Sequence, residues 1–64
     1  MLLKSFLKRR NSKRPISLLF INDKDEIESI WYEGEELNNI EEKYLQMEVM
    51  DYCREDDCTE IWLR

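Results

Sequence analysis

The sequence predicts an α+β domain, a small antiparallel sheet of ββαββ order with one packing helix. An apolar run of strand length occupies 16–21, three further segments alternate between apolar and polar residues, and one segment between them has a helical period. A short basic amphipathic N-terminal helix or arm precedes the sheet. We therefore divide the chain into a basic arm and linker, 1–15, and a ββαββ domain, 16–64.

The N-terminal segment combines apolar residues at helical spacing with lysines and arginines, which predicts a helix of two or three turns. Such a short helix is marginal in water by itself. Several interpretations are open: the helix packs on the domain, acts as a basic arm that binds nucleic acid, or lies on a membrane surface. A mitochondrial presequence has the same pattern. Residues 11–15 are interpreted as linker, so we expect 16–64 to fold without the arm.

The first predicted strand begins after Pro15 and ends at the turn-forming pair Asn22-Asp23. Because it is apolar on both faces, it is expected in the middle of the sheet, covered on both sides. Residues 26–32 alternate imperfectly and contain several strand-favouring side chains, which predicts an antiparallel partner for the first strand. Gly34 ends this second strand.

Residues 35–46 predict a helix of about ten residues, because four large apolar residues fall on one helical face. These are Leu37, Ile40, Tyr44 and Leu45. Glutamates crowd the start of the segment, as the helix dipole favours. Beyond it, 47–53 and 58–64 alternate again and predict a closing hairpin.

Two registers are open for the closing hairpin. A three-residue loop pairs Val49 with Leu63 and Asp51 with Ile61, whereas a four-residue loop places the two cysteines opposite each other. We favour the first register because it collects the aliphatic side chains on one face.

Three segments resemble small orphan proteins of Gram-positive phages and mobile elements. They are Trp31-Tyr32-Glu33-Gly34, Ile40-Glu41-Glu42-Lys43-Tyr44-Leu45, and Val49 with the terminal Ile61-Trp62-Leu63. Those proteins carry a Trp-x-Gly turn, an Ile-Pro-x-x-Tyr-Leu segment and a hairpin. Here two residues separate Trp31 from Gly34, and Glu41 stands in place of the proline. The resemblance covers about half the chain and implies a phage-type accessory protein with no activity attached.

Catalysis is not indicated. The chain contains no histidine and only one glycine, which removes His-based acid–base pairs and Gly-rich phosphate loops. The paired carboxylates are expected to be solvated, because acid–base catalysis needs two carboxylates in different environments of a cleft.

Cys53 and Cys58 are interpreted as two reduced cysteines, with a cross-strand disulfide or a dimer-bridging metal as alternatives. We predict no enzyme, no metal and no cofactor. Few cysteines and no recognisable signal or membrane span predict a cytoplasmic location.

Charge is divided sharply along the chain. Residues 1–14 hold six basic residues and no acid, and 15–64 hold all fifteen acids against four basic residues, so the arm carries +6 and the body −11. The candidate anion or nucleic-acid contacts are Lys4, Lys8, Arg9, Arg10, Lys13 and Arg14. The candidate protein-interface residues are Trp31, Tyr32, Met50, Tyr52, Asp56, Asp57 and Trp62.

These sets predict a non-catalytic protein-binding module whose acidic body engages a basic surface of a host nucleic-acid-acting protein, in an anti-CRISPR-like or DNA-mimic-like manner. The alternative is a sequence-independent nucleic-acid binder that uses the arm, whose affinity falls steeply with salt. A homodimer is also expected, since one helix is too small to shield every large apolar side chain of four strands.

Overall fold

A computed structural model describes residues 1–10 and 12–64. The elements are α1 (Leu3–Arg9), β1 (Ile16–Ile21), β2 (Ile27–Tyr32), a 3₁₀ helix (Gly34–Asn38), α2 (Glu42–Leu45), β3 (Val49–Arg54) and β4 (Thr59–Leu63). The predicted α+β class and the ββαββ order after the first helix are confirmed. The proposed linker includes Asn11, which lies outside the described residues. In the described part of the chain, no helix has the length and apolar character needed to cross a membrane.

The four strands form one sheet in the order β2-β1-β4-β3. Both hairpins are antiparallel, as expected, but β1 and β4 pair in parallel, so the sheet is mixed rather than wholly antiparallel. The reason is that β1 and β4 are the two apolar strands, and both occupy the centre. Residues 33–48 cross the sheet from the end of β2 to the start of β3, and a parallel arrangement needs a connection of about this length.

All helical elements lie on one side of the sheet. The core joins Leu3 of α1 and the buried Ile40 to three residues of β1 and two of β4, which are Ile16, Leu18, Phe20, Ile61 and Leu63. The N-terminal helix therefore packs on the domain, the first of the interpretations left open by the sequence. Its docking is reinforced by backbone hydrogen bonds: the Leu3 N–H donates to the Met47 carbonyl at 2.8 Å and the Val49 N–H to the Met1 carbonyl at 2.8 Å.

The predicted ten-residue helix is broken into two short pieces. Glu41 is extended, with φ −60° and ψ 141°, and separates the 3₁₀ helix from α2. Neighbouring glutamates and Asn38-Asn39 weaken a continuous helix, while a capping box between Glu33 and Glu36 holds the 3₁₀ turn. The break places Ile40 in the core, and the other three apolar residues of the segment still pack against it.

The closing hairpin starts in the favoured register and then shifts by one residue, away from the alternative register that would pair the two cysteines. Val49 lies opposite Leu63, as in the favoured register, but Asp51 lies opposite Trp62 rather than Ile61 because a bulge follows Val49. Cys53 lies opposite Glu60 and not opposite Cys58.

Candidate functional site

The side of the sheet opposite the helices carries an apolar surface. We define the open face as Leu19, Ile21, Ile27, Trp31 and Trp62. These residues alternate with buried ones along β1 and β4, and Trp31 of β2 lies between the half-buried Ile30 and Tyr32. Cross-strand pairs bring Ile21 beside Ile27 and Leu19 beside Trp62. Ile21 and Ile27 are 63% and 65% exposed, and Trp31 is 45% exposed. The expectation that β1 is covered on both sides was therefore wrong for its second face.

The charged residues on the strand positions of this face are acidic. Asp51 lies opposite Trp62, and Glu60 lies opposite Ser17 on one side and Cys53 on the other. Because residues opposite each other in a sheet project from the same face, the two carboxylates stand beside the apolar residues. The open face is thus an apolar surface with an acidic margin along β3 and β4.

The predicted interface residues are divided between the two sides of the sheet. Trp31 and Trp62 lie on the open face. Tyr32 packs against the core on the helical side, and burial is the largest cause that raises the pKa of its phenol. Tyr52 also lies on the helical side, where its ring is 5.0 Å from that of Phe6.

The remaining predicted interface residues stand at the β3 edge and its turn. Met50 is 59% exposed at the bulge, and Asp56 and Asp57 are exposed in the β3–β4 turn. Sequence reasoning missed Ile21 and Ile27, although the alternation of the first strand held the signal: its even-numbered residues fill the core, and the odd-numbered ones must face the other way.

A second candidate site lies on the helical side, between α1 and the end of β3. We call it the basic groove and define it by Phe6, Arg9, Arg10, Arg14, Tyr52 and Arg54, with Met1, Ser12 and Thr59 completing its lining. Its volume is about 430 Å³. Four arginines and two aromatic residues therefore line one depression.

Arg14 is fixed in this groove by the β3–β4 turn. Its guanidinium donates hydrogen bonds to the carbonyl oxygens of Asp56 at 3.3 Å and Cys58 at 3.0 Å, and also to that of Glu55. These acceptors are uncharged, so the bonds orient the cation without neutralising it. The Nε atom of Arg14 is buried and has no hydrogen-bond partner among the described residues.

The positive charges of the groove act on one another. Burial, followed by the charges of Arg14 and Arg54, lowers the pKa of Arg10 from its ordinary value. The guanidinium of Arg10 donates to the Arg14 carbonyl at 3.3 Å, and among residues 1–10 and 12–64 none of the four arginines forms an ion pair with a carboxylate. The groove therefore holds a concentrated positive charge within an acidic chain.

The predicted anion contacts are only partly brought together. Arg9, Arg10 and Arg14 line the basic groove, whereas Lys13 lines a neighbouring depression beside Leu37. Lys4 and Lys8 are exposed on α1 and line neither. The sequence did not predict that Arg54, Phe6 and Tyr52 join this groove. Their proximity to the arginines depends on how α1 docks against β3, which no local sequence pattern reports.

Both cysteines are free thiols, Cys53 exposed on the open side and Cys58 buried. The Sγ atom of Cys53 donates to the Glu55 carboxylate at 3.2 Å. In the part of the chain that the structure describes, no three His, Cys, Asp or Glu side chains come together as a metal-binding set. Comparison of the chain with protein-family models, curated proteins and solved structures finds no match.

Proposed function

We propose that this protein is a non-catalytic protein-binding module that docks on a partner through the open face. The observation that carries the proposal is the exposure of Ile21, Ile27 and Trp31 on one uncovered side of the sheet. Contiguous exposed apolar surface of this kind marks interaction sites in small proteins. Aromatic side chains at its centre and charged groups at its edge are the usual anatomy of an interface.

The acidic margin supports a partner with a basic surface. Asp51 and Glu60 flank the apolar residues, and both hairpin turns carry further exposed acids. Carboxylates at an interface steer association with a basic surface and select against acidic partners. The basic N-terminal helix lies on the other side of the sheet, so it does not oppose such docking.

A host protein that acts on nucleic acid fits this chemistry, because its basic channel ordinarily receives phosphates and can accept carboxylates instead. We propose an accessory protein of a phage or mobile element that inhibits or modulates such a host protein in the cytoplasm. The resemblance of its Trp31–Gly34, 40–45 and 61–63 segments to small phage-type proteins supports the genetic setting. The two free thiols are consistent with a reducing compartment.

Affinity capture with matched variants tests the proposal. The wild-type chain, a Trp31→Ser variant and a Tyr52→Ser variant are immobilised separately and exposed to an extract of the source organism. The two substitutions remove exposed aromatic rings from opposite sides of the sheet, 45% and 58% exposed. We expect a basic nucleic-acid-binding protein to be retained by wild type and Tyr52→Ser and lost with Trp31→Ser.

The captured protein is then purified and tested for displacement of its nucleic acid by the wild-type chain. Retention that survives Trp31→Ser but fails with Tyr52→Ser would refute docking through the open face. A partner with an acidic contact surface would refute the charge argument.

A further inference from the structure

The second surface, the basic groove, has no role in the docking just proposed, because it opens on the helical side of the sheet. From its geometry we infer that the groove binds single-stranded nucleic acid, with backbone phosphates on the arginines and a base stacked on Tyr52. The inference does not rest on the proposed function.

The charge of the groove is the first argument. Arg9 and Arg10 come from the last turn of α1, Arg14 from the segment before β1, and Arg54 from the end of β3. Separate elements thus bring four cations together, although their mutual repulsion disfavours that arrangement in the free protein. A polyanion removes this repulsion, and arginine is the side chain whose planar fork matches phosphate oxygens best.

The position of the neighbouring acids is the second argument. The β3–β4 turn carries Glu55, Asp56 and Asp57, yet it turns carbonyl oxygens toward Arg14. The carboxylate of Glu55 accepts from Cys53, whose side chain lies on the other side of the sheet. The turn therefore orders Arg14 in the groove without supplying the anion that the groove lacks.

The aromatic pair is the third argument, and it favours nucleic acid over other anions. Tyr52 is 58% exposed, and its ring is held by Phe6 with the ring planes tilted by 60°. A supported, accessible aromatic ring beside arginines is the arrangement on which unpaired bases stack while their phosphates are neutralised. A bare phosphate has no flat face and gains nothing from such a ring.

The groove suits a single strand better than a duplex. A volume of about 430 Å³ lies in the range of roughly 300–1,000 Å³ typical of small-ligand sites. That space accommodates a nucleotide unit of an unpaired strand, whose base is free to leave the stack. The bases of a duplex are stacked on one another and cannot reach Tyr52.

Fluorescence anisotropy with a labelled ten-nucleotide oligo-dT tests the inference on the full chain over a series of salt concentrations. Arg9→Gln and Arg54→Gln remove groove cations, and Lys8→Gln is the matched control because Lys8 lies on the same helix outside the groove. Tyr52→Leu removes the stacking ring, and Tyr52→Phe retains it. Thermal unfolding of every variant confirms that it is folded.

We expect each arginine substitution to weaken binding and to reduce the slope of log K against log salt by about 0.7, the value for one phosphate contact to a single strand. Lys8→Gln should leave the slope unchanged. Tyr52→Leu should weaken binding by about fivefold or more, the lower end of the effect of losing one base–aromatic stack. Tyr52→Phe should bind like wild type.

Three results would overturn the inference. Equal losses in Lys8→Gln and Arg9→Gln would show that the helix acts only through its net charge. Unchanged binding by Tyr52→Leu, together with equally good competition by inorganic polyphosphate, would reduce the groove to a nonspecific charged patch. Tighter binding of a phosphopeptide or a DNA duplex than of the oligo-dT would assign the groove to another ligand.

Discussion

The two cysteines show how position decides the chemistry of an identical side chain. Cys58 is buried, and burial is the largest cause that raises the pKa of its thiol. Cys53 is exposed, and its pKa is raised first by the hydrogen bond that its thiol donates to Glu55 and then by the charge of that carboxylate. Only the thiolate is the nucleophile. Burial therefore limits the reactivity of Cys58, and the neighbouring Glu55 carboxylate disfavours the thiolate of Cys53.

We therefore expect Cys53 to be alkylated more slowly than a model peptide at pH 8, because a raised pKa leaves a smaller thiolate fraction at any pH below it. Glu55→Gln should move the rate–pH curve to lower pH and raise the rate at pH 8 by roughly twofold or more, since removal of the charge favours the thiolate. Timed iodoacetamide labelling with peptide mapping measures this. Asp57→Asn, in the same turn, is the control, and equal acceleration by both substitutions would contradict the role of Glu55.

Gly34 starts the 3₁₀ helix at φ +60°, and a Cβ built there meets nothing within 4 Å. The cost of a side chain is therefore conformational and not steric. Gly34→Ala should lower the free energy of unfolding by about 1 kcal/mol, and Gly34→Asn by less, because asparagine tolerates the left-handed region better than alanine. Urea denaturation measures both, and an unchanged midpoint for Gly34→Ala would mean that the 3₁₀ helix shifts to relieve the strain.

Among the elements, α1 differs most from its expected role. The sequence showed its amphipathic pattern but not its location, and Leu3 is fully buried beside Ile16 and Leu18. An isolated β-bridge between Leu2 and Glu48 also pairs the start of the chain with the residue before β3. The helix therefore supplies part of the core of a domain that is too small to lose much of it.

We expect deletion of residues 1–10 to abolish the cooperative thermal transition, in contrast to the detachable arm that the sequence suggested. Leu3→Ala alone should cost about 2–5 kcal/mol, as for other fully buried leucines, out of a total stability of about 3–10 kcal/mol for a domain of this length. Lys4→Ala, at the exposed neighbouring position, is the control. Calorimetry checks both, and a truncated chain that still melts cooperatively would restore the division at residue 15.

How far the sequence predicts this fold depends on the range of the interactions involved. Strands β1 to β4 and the apolar positions of residues 35–46 follow from local periodicity, and the structure confirms them. The parallel pairing of β1 with β4 and the bulge after Val49 do not follow, because both depend on packing between distant segments. The break at Glu41 does not follow from the apolar periodicity either, because it arises from the polar residues around it, which that period does not report. The basic groove was predicted only in part. Its two α1 arginines are adjacent in the sequence and were recognised as a basic cluster, whereas Arg54 and Tyr52 come close to them only in the folded chain.

Across the whole molecule, the fold places the basic groove and the acidic margin of the open face on opposite sides of the sheet. The basic α1 docks on the helical side, and the open face keeps Asp51 and Glu60 on the other. The basic groove thus offers cations to anionic ligands, and the acidic margin offers carboxylates to cationic surfaces. The two proposed ligands can occupy the molecule at once, or a strand bound in the groove can be carried to a partner on the open face.

The exposure of the open face predicts that the free protein associates with itself. No helix among the described residues covers Ile21, Ile27 or Trp31, and burying apolar surface contributes about 25 cal/mol for each Å² removed from water. We therefore expect self-association into a symmetric dimer, the commonest closed arrangement of one self-complementary patch.

The net charge of −5 opposes dimerisation, so added salt should tighten the dimer, whereas it should weaken binding of oligo-dT to the groove. Sedimentation equilibrium across a salt series measures the dimer constant, with Ile27→Glu as the disrupting variant and Lys24→Gln, in the neighbouring turn, as the control that makes the same change of one unit in net charge. A monomer at every salt concentration, or equal weakening by the two substitutions, would show that the open face alone does not drive dimerisation.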